Sequence, residues 1–321
     1  MDTVLLQHPG NLYPENLVYC IGNVGYNYGF FAEIRDLLGY LSYADKFCLT
    51  PVVYWDKQGY YTERELICGV DNVFEYYFCP TSPIKYEEVF HCRNVVFPFP
   101  RQRLTITGGE WKYDYWGNEE LRKKLGMIYK KYCKLNIVTC SYIETNLKEK
   151  RLRERTLGIH IRGTDFKRGL RNHPLAVDAK EFMACTKKVI NKYDYKQIFL
   201  ATDSLEALKL FQAEFGEHLI FYEDVRRSDG DVGVHLLESD RKNHHYKLGL
   251  EVLRDAYSLA ACDALIAGKS NVSLGAWYIK LSKGEDYTKV MILDRGSGNA
   301  SGREGKRYFA SVADREEKKR K

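Results

Sequence analysis

The chain has 321 residues, 45% hydrophobic and 29% charged, with a formal net charge of +6 at neutral pH. That balance excludes a disordered or fibrous protein, and the length favours two domains of roughly 150 residues each over one. The positive excess is modest and gains much from Arg315 and Lys318 to Lys321; no nucleic-acid partner is expected from it, and whole-chain charge speaks to solubility and steering rather than to a site.

Nine cysteines (Cys20, Cys48, Cys68, Cys79, Cys92, Cys133, Cys140, Cys185 and Cys262) are scattered and never spaced Cys-x-x-Cys. They read as reduced thiols of a cytoplasmic protein. The start, Met1-Asp2-Thr3, lacks a basic region followed by an apolar run. No stretch approaches the roughly 18 apolar residues that a membrane span requires.

The first strand is expected at Leu17 to Ile21, followed by a loop carrying Gly22, Asn23, Gly25 and Gly29, and then a helix from about Gly29 to Asp45. Such a turn either lets backbone amides approach a phosphate or is a plain tight connection. Its glycine spacing does not match the dinucleotide fingerprint. Leu49 to Trp55 reads as a second strand. The aromatic-rich stretch that follows, with Tyr60, Tyr61, Tyr76, Tyr77, Phe78, Trp111, Tyr113, Tyr115 and Trp116, has few clear elements. Its rings suit either sugar stacking or an apolar core. Glu119 to Leu135 is an amphipathic helix with Leu121, Leu125, Ile128 and Tyr132 as its stripe and Asn118 as its cap.

From Thr156 strands and helices alternate. Strands are expected at Leu157 to Arg162, Gln197 to Thr202, Leu219 to Tyr222, Ala264 to Ala267 and Lys289 to Leu293. Helices are expected at Asp178 to Asn191, Ser204 to Phe215, Lys247 to Ala261 and after Ser270. This order predicts a Rossmann-like parallel sheet covered by helices, with ligands beyond the carboxyl ends of its strands.

The residues at those ends are Arg162, Asp203, Glu223 and Ser270. Arg162 closes an apolar strand, where a guanidinium either grips a phosphate through parallel charge-assisted bonds or forms a structural pair with a carboxylate such as Asp165. Asp203, Ser204 and Glu223 are functional candidates or helix caps and surface charges. Ser270 and Asn271 meet the start of a helix, which suits a phosphate or simple capping. Asp255 borders the buried stripe of its helix and needs a partner there: a ribose hydroxyl, a guanine or Arg162.

The order of these motifs resembles the GDP-fucose-dependent fucosyltransferases, particularly the α1,6 branch that includes the Nod-factor and N-glycan core enzymes. Gly158-Ile-His160-Ile-Arg162-Gly-Thr-Asp165 resembles that family's His-Val-Arg-Arg-Thr-Asp, with His173-Pro174 downstream. Phe199-Leu-Ala-Thr-Asp203 is similar to its Tyr-Leu-Ala-Thr-Asp. Leu253 to Asp263 followed by Ser270 resembles its third motif, and Val24 to Tyr28 its diphosphate loop.

The resemblance implies an α/β, GT-B-like architecture: two Rossmann-like domains with a cleft between them, acceptor side at 1–150, GDP-fucose side at 151–300, and a charged tail at 301–321. It implies inverting transfer to a saccharide or glycoconjugate acceptor with no cofactor and no metal, and peripheral membrane association through a lipid-linked acceptor or the basic tail. Arg162 would neutralise the β-phosphate. Gly22, Asn23, Gly25, His160, Asp165, Asp203, Asp255, Ser270 and Asn271 would serve the donor. Gly163 replaces the family's second arginine, so its charge must come from elsewhere, with Lys167, Arg168 and Arg171 as candidates. Residues 166–172 contain no carboxylate, which leaves the base open among Asp36, Glu33, His173 and Asp178. Use of another nucleotide-sugar, or a binding module that has lost catalysis, are the alternatives.

Overall fold

Short apolar strands, most of them followed by a helix, build both halves of the chain. The computed structural model describes residues 5–23, 28–56, 59–98, 115–152, 155–163, 174–230, 233–234 and 239–296. They divide into two compact units, one of residues 1–146, 241–257 and 274–286, the other of 147–240, 258–273 and 287–321.

In the first unit, strands β1 (Leu5–Gln7), β2 (Val18–Ile21), β3 (Thr50–Val53) and β4 (Val95–Phe97) form a sheet in the order β1-β4-β2-β3. Two of its three pairings, β4 with β2 and β2 with β3, are parallel, and at the edge β1 runs antiparallel to β4. Helix α1 (Phe30–Lys46) connects β2 to β3 and buries Ile34, Leu37, Leu38 and Leu41. A single helical turn, α2 (Tyr86–Val89), precedes β4. Helix α3 (Glu119–Tyr132) starts on Asn118, whose side-chain oxygen accepts the Leu121 N–H at 2.9 Å, and buries the expected stripe. Strands β1 and β4 and helix α4 (Ile137–Lys150) were not legible. The strands are three residues long, and α4 buries only Thr139 and Ile143 while exposing Ile137 and Val138.

The aromatic stretch is largely core. Tyr61, Phe74, Tyr76, Tyr77 and Phe78 are buried, and the Phe30 ring meets Tyr61 and Tyr77 edge-on at 5.2 and 5.0 Å. Edge-to-face packing of this kind adds to the area term. The Tyr61 hydroxyl accepts the first N–H of α1, and the Tyr77 hydroxyl donates to the Tyr246 carbonyl. These rings have buried protein partners and are not sugar platforms; Trp111 and Tyr113 lie outside the described residues.

The second unit holds a five-stranded, fully parallel sheet in the order β7-β6-β5-β8-β9, made of β5 (Thr156–Ile161), β6 (Gln197–Thr202), β7 (Leu219–Ile220), β8 (Ala264–Gly268) and β9 (Lys289–Leu293). Its central strands are buried on both faces, as parallel strands under helices must be. Leu157, Ile159 and Ile161 of β5 pack with helix α5 (Ala179–Tyr193), through Phe182 and Met183, and with helix α6 (Leu205–Phe215), through Leu208 and Phe211. Helices α7 (His244–Ala261) and α8 (Asn271–Ser282) complete the set. The stretches 241–257 and 274–286, inside the expected second domain, belong to the first unit.

Candidate functional site

Parallel pairing sends β5, β6, β8 and β9 in one direction, so the residues that follow them lie along one edge of the sheet. Those residues are Arg162, Asp203, Lys269 and Asp294.

Nη1 of Arg162 meets Oδ2 of Asp203 at 2.8 Å, and the other carboxylate oxygen accepts the Gly163 N–H, also at 2.8 Å. Asp203 therefore clasps the end of β5 to the end of β6 and sets the direction of the guanidinium. The side chains are 23% and 12% exposed, so solvent screens the pair less than it would a surface pair. A salt bridge to Asp203 is thus present; Asp165 lies outside the described residues.

Gly163 has a steric reason to be glycine. A Cβ there would lie 2.6 Å from Cβ of Ser204, well inside the roughly 3.5–4.0 Å contact distance of carbon atoms. Ser204 is held in place as the N-cap of α6, its hydroxyl accepting the Ala207 N–H at 3.2 Å. The backbone has no room for a second arginine at this point.

His160 lies buried two residues before Arg162. The Ser273 hydroxyl donates to the Gly268 carbonyl at 3.3 Å, so the 2.7 Å contact between that hydroxyl and the imidazole is a donation from Nδ1–H. Burial, reinforced by the Arg162 charge, pushes the imidazole down to about 3, keeping it neutral. The side chain braces β5 against the first turn of α8.

Ser270 is 9% exposed and its Oγ accepts the Val272 N–H at 3.2 Å, with Asn271 opening α8 beside it. The preceding residue, Lys269, meets Oδ2 of Asp294 at 2.7 Å, while Oδ1 of Asp294 accepts the Gly296 N–H at 2.9 Å. The lysine bond is the main reason that the Asp294 carboxyl is held below its ordinary range. The Gly296 carbonyl in turn accepts the Leu175 N–H at 2.9 Å. Arg162 and Lys269, with Leu175, Val177, Phe182 and Gly268, line one small depression. The sequence reading passed over Lys269, although a cation directly after a buried strand is the signal that singled out Arg162.

The other expected site residues lie on elements of both units. Asp178 caps α5, accepting the Lys180 N–H at 2.7 Å, and Glu223 makes an ion pair with Lys150 at 3.1 Å. Glu33 and Asp36 lie in α1 of the first unit and are buried at 6% and 7% exposure, contrary to the usual solvation of helical acids; Arg35 is ion-paired to Asp36 at 3.0 Å. Asn23 accepts the Asp56 N–H at 2.7 Å and so ties the end of β2 to the end of β3, beside an exposed Gly22. Asp255 is half-buried in α7, in its first-unit part. Gly25, Asp165, Lys167, Arg168, Arg171 and His173 lie outside the described residues. Among the described residues no group of three or more histidine, cysteine, aspartate or glutamate side chains is gathered as for a metal ion.

NodZ α1,6-fucosyltransferase soaked with GDP-fucose superposes with a TM-score of 0.51 at 17% identity, over 82% of this chain and 92% of that one. Fucosyltransferase NodZ from Bradyrhizobium gives 0.50 at 18% identity, over 81% and 92%. POFUT1 in complex with GDP-fucose gives 0.50 at 11% identity, over 87% and 98%. The chain has the fucosyltransferase fold. No family model and no curated sequence matches it. All nine cysteines are free thiols, and among the described residues no helix is long and apolar enough to cross a membrane.

Proposed function

We propose that the protein is an inverting glycosyltransferase that moves fucose from GDP-fucose to a hydroxyl of a saccharide or glycoconjugate, without a metal. The observation that carries this reading is Arg162, oriented by Asp203 at the carboxyl end of the central strand β5, next to the start of α8. The GDP-fucose-bound structures of two proteins with the same fold support the choice of donor.

In the proposed reaction the acceptor oxygen attacks the anomeric carbon of fucose as the bond to the β-phosphate oxygen breaks. GDP departs with the electron pair, and the hydroxyl proton passes to a base. Charge accumulates on the β-phosphate, where a fixed guanidinium stabilises the transition state more than the ground state. Ser270, Asn271 and the first amides of α8 add donors to the diphosphate. His160 and Asp203 hold the strand ends, while Asp255, Asp165 and the loop of Gly22, Asn23 and Gly25 complete the donor contacts. The base is one of Glu33, Asp36, His173 and Asp178. Residues 151–300 serve the donor and 1–150 the acceptor.

The test is the heat-unfolding transition in GDP, UDP and CDP. A ligand at a hundred times its Kd adds about 2.7 kcal/mol of stability to a protein that binds it only when native. GDP is expected to raise the transition, and Arg162→Ala to abolish both that rise and turnover of GDP-fucose. Stabilisation by UDP or CDP in place of GDP removes the fucose reading. Turnover that survives Arg162→Ala removes the role of Arg162, and GDP binding without turnover leaves a binding module.

A further inference from the structure

With glycine at 163 no second cation follows Arg162 directly, whereas the terminal phosphate of a departing nucleoside diphosphate carries about two negative charges. The packing of Gly163 against Ser204 means that no side chain at that position can make up the difference. The neighbouring strand can. In the parallel pairing of β5 with β8, His160 is level with Ala267, and two residues further on each strand has just ended, at Arg162 and at Lys269. Adjacent strands run about 5 Å apart, and both cations line the same small depression.

Like charges facing each other across neighbouring strands are destabilising. This fold keeps the two cations beside each other by giving each its own carboxylate, Asp203 for Arg162 and Asp294 for Lys269, and gives each carboxylate a backbone N–H as well, from Gly163 and Gly296. Each carboxylate is thus compensated by two donors. An arrangement that tolerates paired cations at a strand edge is what a doubly charged terminal phosphate requires.

We propose that Lys269 is the second cation on the β-phosphate, replacing the side chain excluded at Gly163 and forming a two-point clamp with Arg162. The proposal rests on the donor being a nucleoside diphosphate-sugar, as argued above. Asp294 is then a positioning residue: it holds the ammonium at the mouth and competes with the phosphate for it.

Calorimetric titration of the full chain with GDP and with GMP tests this. A charge-assisted hydrogen bond is worth about 1.5–3 kcal/mol, so Lys269→Ala is expected to weaken GDP binding by about tenfold or more while leaving GMP binding within about twofold. Asp294→Asn keeps an oxygen for the Gly296 N–H but removes the competing charge, and is expected to tighten GDP binding. A purely structural Lys269–Asp294 pair predicts instead that both variants lower stability and change GDP and GMP binding alike. If wild type binds GDP, Arg162→Ala loses it and Lys269→Ala binds as wild type does, the clamp is overturned and the donor reading stands. If wild type binds no GDP, both fall.

Discussion

Gly163→Ala adds one methyl group at the most crowded point of the site. Its Cβ would stand 2.6 Å from Cβ and 3.2 Å from Oγ of Ser204, with Oδ1 of Asp203 at 3.8 Å. The deficit against normal carbon contact is about 1 Å. No flexible side-chain end can absorb it, because the opposing atom is the Cβ of a residue that caps α6. One strand end must move, which strains the Gly163-to-Asp203 hydrogen bond and with it the direction of Arg162. Overpacking of this kind costs about 1–3 kcal/mol. Urea unfolding should register that loss, and GDP affinity should fall with it. The decisive arm is a double-mutant cycle with Ser204→Gly, which removes the opposing Cβ while keeping most of the capping tendency. In that background Gly163→Ala should cost almost nothing, giving a coupling of about 1–3 kcal/mol. An equal cost in both backgrounds, or none in either, refutes the steric reason for the glycine.

His160 makes stability pH-dependent. Its native value is pushed down to about 3, below the roughly 6.5 of an unfolded chain, so the unfolded state takes up the proton first and stability is lost as pH falls from about 6.5 towards 3. Between pH 7 and pH 5 this group should account for about 2 kcal/mol, and His160→Gln should flatten that part of the urea-midpoint profile; an unchanged slope sinks the assignment. A base in α1 should show in the pH–rate profile: Glu33→Gln or Asp36→Asn should abolish the fall at low pH and slow transfer by about 10²–10⁴-fold, whereas full activity in both variants moves the base to His173 or Asp178. Transfer should persist in EDTA, and its loss on chelation, restored by a divalent ion, would contradict the metal-free mechanism.

Much of the second unit could be read from the sequence because alternation is regular there: β6 and β9 fall at their expected bounds, and Asp178 and Ser204 cap the helices they were placed before. Arg162 stood out because a guanidinium after six buried residues has no bland surface explanation. Its pairing with Asp203 did not, because that residue is 41 positions away and meets it only through strand pairing. Lys269 follows its strand as Arg162 does, but that the two are neighbours shows only in the register of β5 on β8. In the first unit, three-residue strands and a helix without an apolar face carry too little periodicity to be seen, and of the two readings open for the aromatic stretch the apolar core holds for Tyr61 and Tyr77, which pack on Phe30. The departure at Gly163 was visible, but its cause needed the position of Ser204.

The most direct measurement is a crystal structure of the protein with GDP. The β-phosphate is expected within hydrogen-bond distance of the Arg162 guanidinium at the carboxyl end of β5, next to the first turn of α8. A diphosphate bound away from that strand end, with Arg162 still engaged only by protein groups, would contradict the assignment of this site.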